Sequence, residues 1–280
     1  MKKILKKFVI WLLTFDKIGS FIKWLSVSVW KIKYQREIIE RKIEEKGIHD
    51  LVQKVSKDKV VLYGPFKDLL YPSFKSKSSS LYSKLIGSYE KELEVEFERV
   101  INCGYEQIID IGCAEGYYAV GFAIKMPKVK VYAYDIDSEA RDLTNQMAIL
   151  NKVDDRVVVK SHCDSKTFQN FDYSKKTLII SDCEGYEQFL FTKENIGAFE
   201  SVDLIIETHD WVDINISSNL EGLFFKTHNV EVLQSVSDNF KAKNYKYDEF
   251  NNQTLEVKYR IFEEGRRFVD EWLILKSKSN

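Results

Sequence analysis

The chain has 280 residues, which exceeds the usual size of one domain but leaves little room for two full domains. Its residues are 44% hydrophobic, enough for a sizeable core, and its 12 glycines and 3 prolines exclude a fibrous or proline-rich protein. The net charge of −1 is unevenly spread, because residues 1–33 contain eight lysines and a single acid. The acidic remainder argues against a nucleic-acid-binding protein.

Residues 1–33 predict an amphipathic helix. Apolar residues recur there at alternating intervals of four and three, which places one set on a single helical face: Ile4, Phe8, Trp11, Phe15, Ile18, Ile22, Leu25 and Val29. The longest apolar run, residues 8–15, is too short to span a bilayer. A helix of this kind with lysines can lie on the anionic inner face of the membrane, which predicts a cytoplasmic protein bound there peripherally. Two alternatives stay open: a helix that packs on a partner or on its own domain, and a cleaved signal peptide.

The next segments predict a spacer and a linker. Residues 34–56 alternate charges around apolar residues, which is typical of an exposed helix, either a solvated spacer or a self-associating segment. Residues 71–84 contain Pro72 and a run of Ser and Lys, which indicates a loop. We therefore divide the chain into a helical extension (1–56), a lead-in segment with linker (57–85) and a catalytic domain (86–280). The formation of a homo-oligomer is left open. The four cysteines have neither C-x-x-C nor zinc-ligand spacing and predict reduced thiols in a cytoplasmic protein.

A strand, a glycine turn and a helix follow one another in the predicted catalytic domain. Ser88 is predicted to cap a helix over residues 89–102, and a buried strand over 107–111 then runs into a turn that opens the helix 117–126. The turn has the pattern Asp-x-Gly-x-x-x-Gly, which differs from the G-x-G-x-x-G of dinucleotide folds. Its acids, Asp110 and Glu115, would repel a pyrophosphate. They suit a cofactor that carries an amino group and a sulfonium cation.

Two further strands bring acids to the same edge of the predicted sheet. The strand 130–134 ends at Asp135, where a carboxylate can accept hydrogen bonds from both ribose hydroxyls of a nucleoside. The strand 156–160 leads to Asp164, which can accept one from an adenine amino group. Each of these residues also has a purely structural interpretation as a turn or a helix cap. Their joint order, with a strand before each, favours a nucleoside site.

Four segments resemble the FkbM-type methyltransferases, which use S-adenosylmethionine. They are IIDIGCAEGYYAV at 108–120, VYAYD at 131–135, LIISDCEGYE at 178–187 and LIIETHD at 204–210, and the upstream segments GPFKDLLY and LIGSYEKEL are also similar. The resemblance covers residues 62–280 and implies a class I methyltransferase fold, which is α/β, doubly wound and Rossmann-like, with a mostly parallel seven-stranded sheet. One departure is Asp135-Ile136, where the family often has Glu-Pro. The shorter acid can still accept two hydroxyls.

The resemblance also implies a cofactor site. The glycine loop would hold the methionine part of S-adenosylmethionine, and Asp135 its ribose. The predicted cofactor-binding residues are Glu90, Asp110, Gly112, Cys113, Glu115, Gly116, Tyr117, Asp135, Ile136, Asp164 and Asp182.

Carboxylates and an imidazole follow the fourth and fifth predicted strands. The strand 177–181 ends at Asp182, and the strand 203–206 is followed by Glu207, His209 and Asp210, so these residues share a pocket rim. His209 is the preferred general base for an alcohol acceptor, because its unperturbed pKa lies nearest neutrality, with Asp182 and Glu207 as further catalytic candidates. In the alternatives, Asp182, Glu207 and Asp210 bind a divalent metal through oxygen ligands, or His209 is only a hydrogen-bonded rim residue.

The last part of the chain predicts the closing hairpin of the sheet. Residues 230–236 and 272–276 are its strands, with an insertion between them. Arg260, Arg266 and Arg267 precede the final strand and either bind an anionic substrate or form surface ion pairs. The whole sequence predicts an O-methyltransferase of a hydroxylated acceptor such as a saccharide or glycan precursor, with no nucleic-acid partner. An N-methyltransferase of a small metabolite and a non-catalytic, membrane-associated scaffold are the alternatives.

Overall fold

The computed structural model describes residues 2–12, 16–77, 80–266 and 268–279. The chain divides into two compact units, residues 1–51 and residues 52–280. The division lies within a long helix, five residues before the end of the predicted extension. The lead-in segment belongs to the second unit, so residues 57–85 are part of the body that contains the sheet rather than a separate linker.

The first unit is helical. Helix α1 spans Lys2–Leu12 and helix α2 spans Asp16–Val55, although Phe15, which was predicted on the apolar face, lies outside the described residues. The expected change near residue 33 from an amphipathic to a charged helix occurs within α2 without a break, because neither proline nor a glycine turn interrupts the segment. Among the described residues, no helix is long and apolar enough to cross a membrane.

The lead-in segment folds as a compact loop that contributes to the core. An isolated antiparallel bridge joins Val60 to Leu70, and the apolar side chains between and beside them are buried: Val61, Phe66, Leu69 and Tyr71. Helix α3 follows at Leu81–Ile86. This burial explains why the segment is ordered despite its loop-like composition, because about 25 cal/mol is gained per Å² of apolar surface removed from water.

A seven-stranded sheet forms the centre of the second unit as the structure describes it. Its strands are β1 (Gln107–Ile111), β2 (Lys130–Tyr134), β3 (Val157–Lys160), β4 (Thr177–Ser181), β5 (Asp203–Thr208), β6 (His228–Gln234) and β7 (Glu271–Ser277). Their order is β3-β2-β1-β4-β5-β7-β6, with β1 to β5 parallel and β7 antiparallel to both of its neighbours. This is the doubly wound, mostly parallel class I methyltransferase fold that was predicted, closed by an antiparallel hairpin.

The strands at the middle of the sheet are mostly apolar and are buried on both faces. All five residues of β1 and all five of β4 are buried, as expected for parallel strands covered by helices. The helices that follow the strands are α5 (Tyr117–Lys125), α6 (Ser138–Leu150), α7 (Glu187–Leu190) and α8 (Ile216–Phe224). Aromatic side chains such as Phe168, Phe191, Phe199 and Phe224 fill one side of the core.

The helix before β1 begins later than predicted. Its α-helical part, α4, spans Glu94–Asn102 and is preceded by a short 3-10 helix at Lys91–Leu93. Ser88 does not cap it, because the Ser88 hydroxyl donates to the carbonyl of Ser83 and so closes the end of α3. Glu90 takes a left-handed conformation (φ 46°) in the turn between α3 and the 3-10 helix.

The predicted insertion between β6 and β7 forms a small helical layer. Helices α9 (Asp238–Asn244) and α10 (Leu255–Phe262) pack against each other and are followed by an irregular loop that leads into β7. Ser237 caps α9 and Thr254 caps α10 through hydrogen bonds from the backbone N–H three residues later. The loop after α10 carries Glu264, Gly265 and Arg266 to the edge of the sheet where the parallel strands end.

Candidate active site

A cavity of about 820 Å³ opens at the carboxyl ends of the parallel strands. Its walls come from the glycine loop after β1, the ends of β2, β3, β4 and β5, and the loop after α10. Its volume lies in the range of about 300–1,000 Å³ that is usual for small-molecule sites. In a doubly wound sheet this edge is where ligands bind.

Two glycines of the glycine loop lie so close to neighbouring residues that a side chain would not fit at either position. Gly112 has φ 86°, and a Cβ placed on it would lie 1.6 Å from the carbonyl oxygen of Asp182 at the end of β4. Gly116 has φ 94° at the start of α5, where a Cβ would lie 2.9 Å from Thr144 Cγ2. Glycine is therefore required at both positions, because the backbone is left-handed there and neighbouring atoms lie too close for a Cβ. The loop exposes Gly112, Cys113 and Ala114 to the cavity.

Asp135 braces this loop from the end of β2. One carboxylate oxygen accepts a hydrogen bond from the backbone N–H of Ala114 at 2.9 Å, and the other accepts one from Asp137 at 2.8 Å. Each oxygen retains a lone pair, and both Asp135 and Ile136 line the cavity. The residue thus fixes the loop and borders the cavity.

The two acids of the turn have different environments. The carboxyl group of Asp110 is buried, its Oδ2 has no hydrogen-bond partner among the described residues, and burial together with the charges of Asp182 and Asp135 raises its pKa to about 8. Glu115 is equally buried but accepts a hydrogen bond from Lys84 Nζ at 2.7 Å. Burial opposes its charge, yet Lys84 and Ser76 hold its pKa below the ordinary value. Glu115 therefore pairs with Lys84, and its carboxylate does not line the cavity.

The other predicted cofactor residues are divided by the structure. Cys113 and Tyr117 line the cavity, whereas Gly116 lies behind it. Asp164 is also outside the lining set, because its carboxylate accepts hydrogen bonds from Thr167 and Lys166 within its own turn. Glu90 lies behind the cavity wall, where it pairs with Arg266.

Asp182, Glu207 and His209 converge on the opposite side of the cavity from Asp135. One ligand atom from each lies within 4.8 Å of the others. His209 Nε2 is 3.5 Å from Asp182 Oδ1 and 3.9 Å from Glu207 Oε2. The ring is fixed from behind, because its Nδ1 lies 3.0 Å from Glu187 Oε1, which also accepts the backbone N–H of His209 at 2.9 Å.

This convergence perturbs the pKa values of all three groups. Burial alone would lower the pKa of His209, but the hydrogen bonds to Asp182 and Glu187 and the charge of Glu207 raise it to about 11. Burial and the Asp182 charge raise the pKa of Glu207 well above its usual range, whereas His209 and Glu207 outweigh burial and lower that of Asp182. A charged imidazolium can donate a proton but cannot accept one. For His209 to act as the predicted base, another cation must therefore balance these carboxylates and so lower the pKa of the ring.

Asp210, predicted as a metal ligand, is placed elsewhere. Its carboxylate accepts the backbone N–H of Ser217 at 2.9 Å and the hydroxyl of the same residue at 2.6 Å, at the start of α8. It does not line the cavity. The residue that joins Asp182 and Glu207 is therefore His209.

Arg266 is the main site residue whose position the sequence left unresolved. Its guanidinium is largely buried and contacts the carboxylates of Glu90, Glu207, Glu264 and Asp270. Of the other two arginines, Arg260 forms an ion pair with Glu263, and Arg267 lies outside the described residues. Lys84 and Glu187 were also not predicted; the sequence signal for both was weak, because each lies in a short helix, Lys84 in α3 and Glu187 at the start of α7.

Comparison with known proteins agrees with the fold. A family model described as ribosomal protein L11 methyltransferase (PrmA) matches residues 95–181, which run from α4 through β4. No curated protein sequence matches the chain significantly. Because the match covers less than half of the chain and names a different methyltransferase, the narrower resemblance to FkbM-type enzymes stays a prediction.

Several solved structures are similar in fold. An O-methyltransferase from Bacillus cereus in complex with SAH is 16% identical, with 64% of this chain and 78% of that chain covered and a TM-score of 0.41. A precorrin-6y C5,15-methyltransferase from Geobacter metallireducens is 15% identical, with 65% and 88% covered and a TM-score of 0.42. An rRNA methylase from Streptococcus thermophilus is 12% identical, with 66% and 96% covered and a TM-score of 0.44. The fold assignment rests on the strand order of this sheet.

Proposed function

We propose that this chain is an S-adenosylmethionine-dependent methyltransferase that methylates a hydroxyl group. The observation that supports this most is the composition of one cavity, which joins a glycine loop and Asp135 on one side to Asp182, Glu207 and His209 on the other. The first side suits a nucleoside with a charged amino acid part. The second suits an acceptor that must lose a proton.

The electrostatics favour a cationic cofactor. The carboxyl group of Asp110 lies buried behind the glycine loop with one oxygen unpartnered, and Asp135 and Asp182 flank the same loop. A pyrophosphate at this place would meet these carboxylates and keep the pKa of Asp110 high. A sulfonium or an ammonium group would instead favour the charged form of Asp110 and would be attracted to it. The chain would hold the methionine part at Gly112 to Ala114 and the ribose at Asp135.

Methyl transfer to oxygen requires alignment and proton removal. Holding the acceptor in line with the methyl group is worth about 7–11 kcal/mol in well-oriented reactions. Removal of the hydroxyl proton by a positioned group adds about 10²–10⁴-fold. Asp182, Glu207 and His209 are the groups at the acceptor side of the cavity, whereas an amine acceptor would have less need of them.

The same three residues fit a divalent metal. They provide two carboxylates and one imidazole within 4.8 Å of one another, and Glu187 fixes Nδ1 of His209 so that Nε2 faces the two carboxylates. A bound divalent ion would polarise the acceptor oxygen and favour its deprotonated form. This ligand set replaces the one predicted with Asp210.

Binding of Mn²⁺, followed by its electron paramagnetic resonance signal, tests the ligand set. The variants Asp182→Asn, Glu207→Gln and His209→Ala should each weaken binding at least about tenfold, while Asp210→Asn should bind Mn²⁺ like the native chain. If Asp210→Asn is as defective as Asp182→Asn, the group was assigned wrongly. If the native chain binds no Mn²⁺ and its methyl transfer ignores chelator, then Asp182, Glu207 and His209 act without metal.

Release of S-adenosylhomocysteine in the presence of candidate acceptors tests the reaction. We expect release with hydroxylated acceptors such as nucleotide sugars and saccharides, and loss of release in Asp182→Asn. Release only with amines would favour the alternative N-methyltransferase, and none with any acceptor would favour a non-catalytic scaffold. The exclusion of nucleic acid stays a prediction, and RNA therefore belongs among the acceptors tested.

A further inference from the structure

The first unit exposes a large apolar surface that the proposed reaction does not use. On α1, Ile4 is 75% exposed and Phe8 is 53% exposed. On α2, Phe21, Trp24 and Ile32 are each at least 60% exposed. Exposure of large side chains in such a contiguous set marks a surface that contacts something else.

Most of these exposed apolar side chains lie along one face of each helix, and Val27 and Trp30 extend the exposed apolar surface to the other side of α2. From Phe21, the residues Trp24, Leu25, Val29 and Ile32 follow at intervals of 3, 4, 8 and 11, which are the spacings of one helical face. In α1, Phe8 follows Ile4 by four residues. We use the term apolar face for the following exposed side chains of α1 and α2: Ile4, Phe8, Phe21, Trp24, Leu25, Val29 and Ile32.

Basic residues alone accompany the apolar face. Residues 1–33 carry eight lysines and only Asp16 as an acid. Lys3, Lys6 and Lys7 lie on α1 beside Ile4 and Phe8, and Lys23, Lys31 and Lys33 lie on α2. Apolar side chains bordered by one sign of charge fit a surface that is itself apolar beneath an anionic layer.

The second part of α2 differs sharply from the first. Residues 34–51 contain five acids and four basic residues, some of them joined by ion pairs one turn apart, such as Arg36 with Glu40. Its exposed large apolar side chains, Tyr34, Ile39 and Ile43, lie among charged residues, and Ile48 near its end is buried. Most of this part therefore has the character of a solvated helix, and the whole of it is about 27 Å long at 1.5 Å per residue.

We propose that the apolar face binds the surface of an anionic lipid membrane, with residues 34–51 of α2 as a solvated segment that leaves that surface. The charge excess favours lipid over a second copy of this chain, because two copies would bring their lysines together without acids to pair with. The tryptophans suit the membrane interface, where an amphipathic ring has its apolar part in the lipid and its N–H in water. The attachment would hold the proposed methyltransferase near acceptors built at a membrane.

Cosedimentation of the full chain with vesicles tests this proposal. We use vesicles of phosphatidylcholine alone and vesicles with 30% phosphatidylserine, in low and in high salt. The chain should bind the anionic vesicles at least about tenfold more tightly than the neutral ones, and added salt should reduce this preference because it screens charge. Equal binding to both vesicles, or none to either, would overturn the proposal.

Matched variants distinguish the apolar face from the rest of α2. The triple variant Lys3→Gln, Lys6→Gln, Lys7→Gln should bind anionic vesicles roughly 100-fold more weakly, whereas Arg41→Gln, Lys42→Gln, Lys46→Gln should change binding little. The pair Phe21→Ser, Trp24→Ser should likewise abolish binding, and Ile39→Ser, Ile43→Ser should not. If the control variants lose as much binding as the others, attachment does not occur through the apolar face.

Ligand binding at the catalytic cavity separates this proposal from the proposed reaction. Each variant should retain the native affinity for S-adenosylhomocysteine and the native helical circular dichroism. A chain that self-associates through the apolar face would sediment as an oligomer without lipid and lose that association in Phe21→Ser, Trp24→Ser. That result, together with a lack of vesicle binding, would show that the apolar face binds a second copy of the chain and not lipid, and it would overturn the proposal.

Discussion

The buried ion pair between Lys84 and Glu115 gives the most quantitative test of how the glycine loop is held. The two side chains are 4% and 1% exposed and are joined by a 2.7 Å contact at the back of the loop. Lys84→Met removes the cation and leaves the carboxylate of Glu115 buried. Loss of one partner of such a pair typically costs about 3–5 kcal/mol.

The structure places the expected loss at the low end of this range. Glu115 would keep its hydrogen bonds from Ser76 Oγ at 2.7 Å and the backbone N–H of Lys77 at 3.2 Å. We therefore expect Lys84→Met to lower the free energy of unfolding by about 3 kcal/mol at pH 7.5, measured by urea denaturation. The double variant Lys84→Met, Glu115→Gln removes both charges and should recover most of this loss.

The pH dependence of this loss has a defined sign. Because the pKa of Glu115 lies below its unfolded value of 4.5, its charge stabilises the native fold above that pH, and this contribution disappears as the pH falls. The difference between the native chain and Lys84→Met should therefore shrink as the pH falls below 4.5. A loss below about 1 kcal/mol in Lys84→Met, or no recovery in the double variant, would refute the electrostatic argument.

Two further predictions concern other positions. Gly112→Ala should abolish S-adenosylhomocysteine binding and lower the unfolding midpoint in urea, because its Cβ would lie 1.6 Å from the carbonyl oxygen of Asp182. The control Gly222→Ala, whose Cβ would have nothing within 4 Å, should keep both the binding and the midpoint. Native-like binding in Gly112→Ala would contradict the loop geometry. Burial lowers the pKa of His228, whose Nε2 donates to the carbonyl of Val202, so the unfolded chain binds more protons and stability should fall as the pH drops below 6.5. His228→Asn should show a smaller fall between pH 7.5 and 5.5 in urea denaturation, and an equal fall in both proteins would refute this assignment.

The sheet was largely predictable because its strands are continuous apolar runs bounded by turns. The bounds of β1, β2 and β4 match the prediction residue for residue. The predicted start of the helix at Ser88 was wrong. A serine before an acidic run can cap the helix that follows, but its hydroxyl can equally well close the helix that precedes it, as Ser88 does. Local chemistry alone does not distinguish these two uses of one hydroxyl.

The site could be predicted from the sequence only where its residues lie close together in one short segment of the chain. The glycine turn and Asp135 were identified because strand, turn and acid lie within thirty residues of one another. The sequence grouped Asp182, Glu207 and His209 at one rim together with Asp210. That Asp210 lies apart follows from the hydrogen bonds of its carboxylate to Ser217, which no local pattern indicated. Arg266 is 176 residues from Glu90, and no local pattern predicts that a loop before the last strand brings its guanidinium to four carboxylates.

Calorimetric titration with S-adenosylhomocysteine tests the central claim most directly. The account predicts binding of one ligand per chain, weakened by about 10- to 100-fold in Asp135→Ala through lost ribose hydrogen bonds. Asp164→Ala, which changes a carboxylate held within its own turn, should bind like the native chain. Measurable binding of NAD with no response to S-adenosylhomocysteine would contradict the assignment of this cavity.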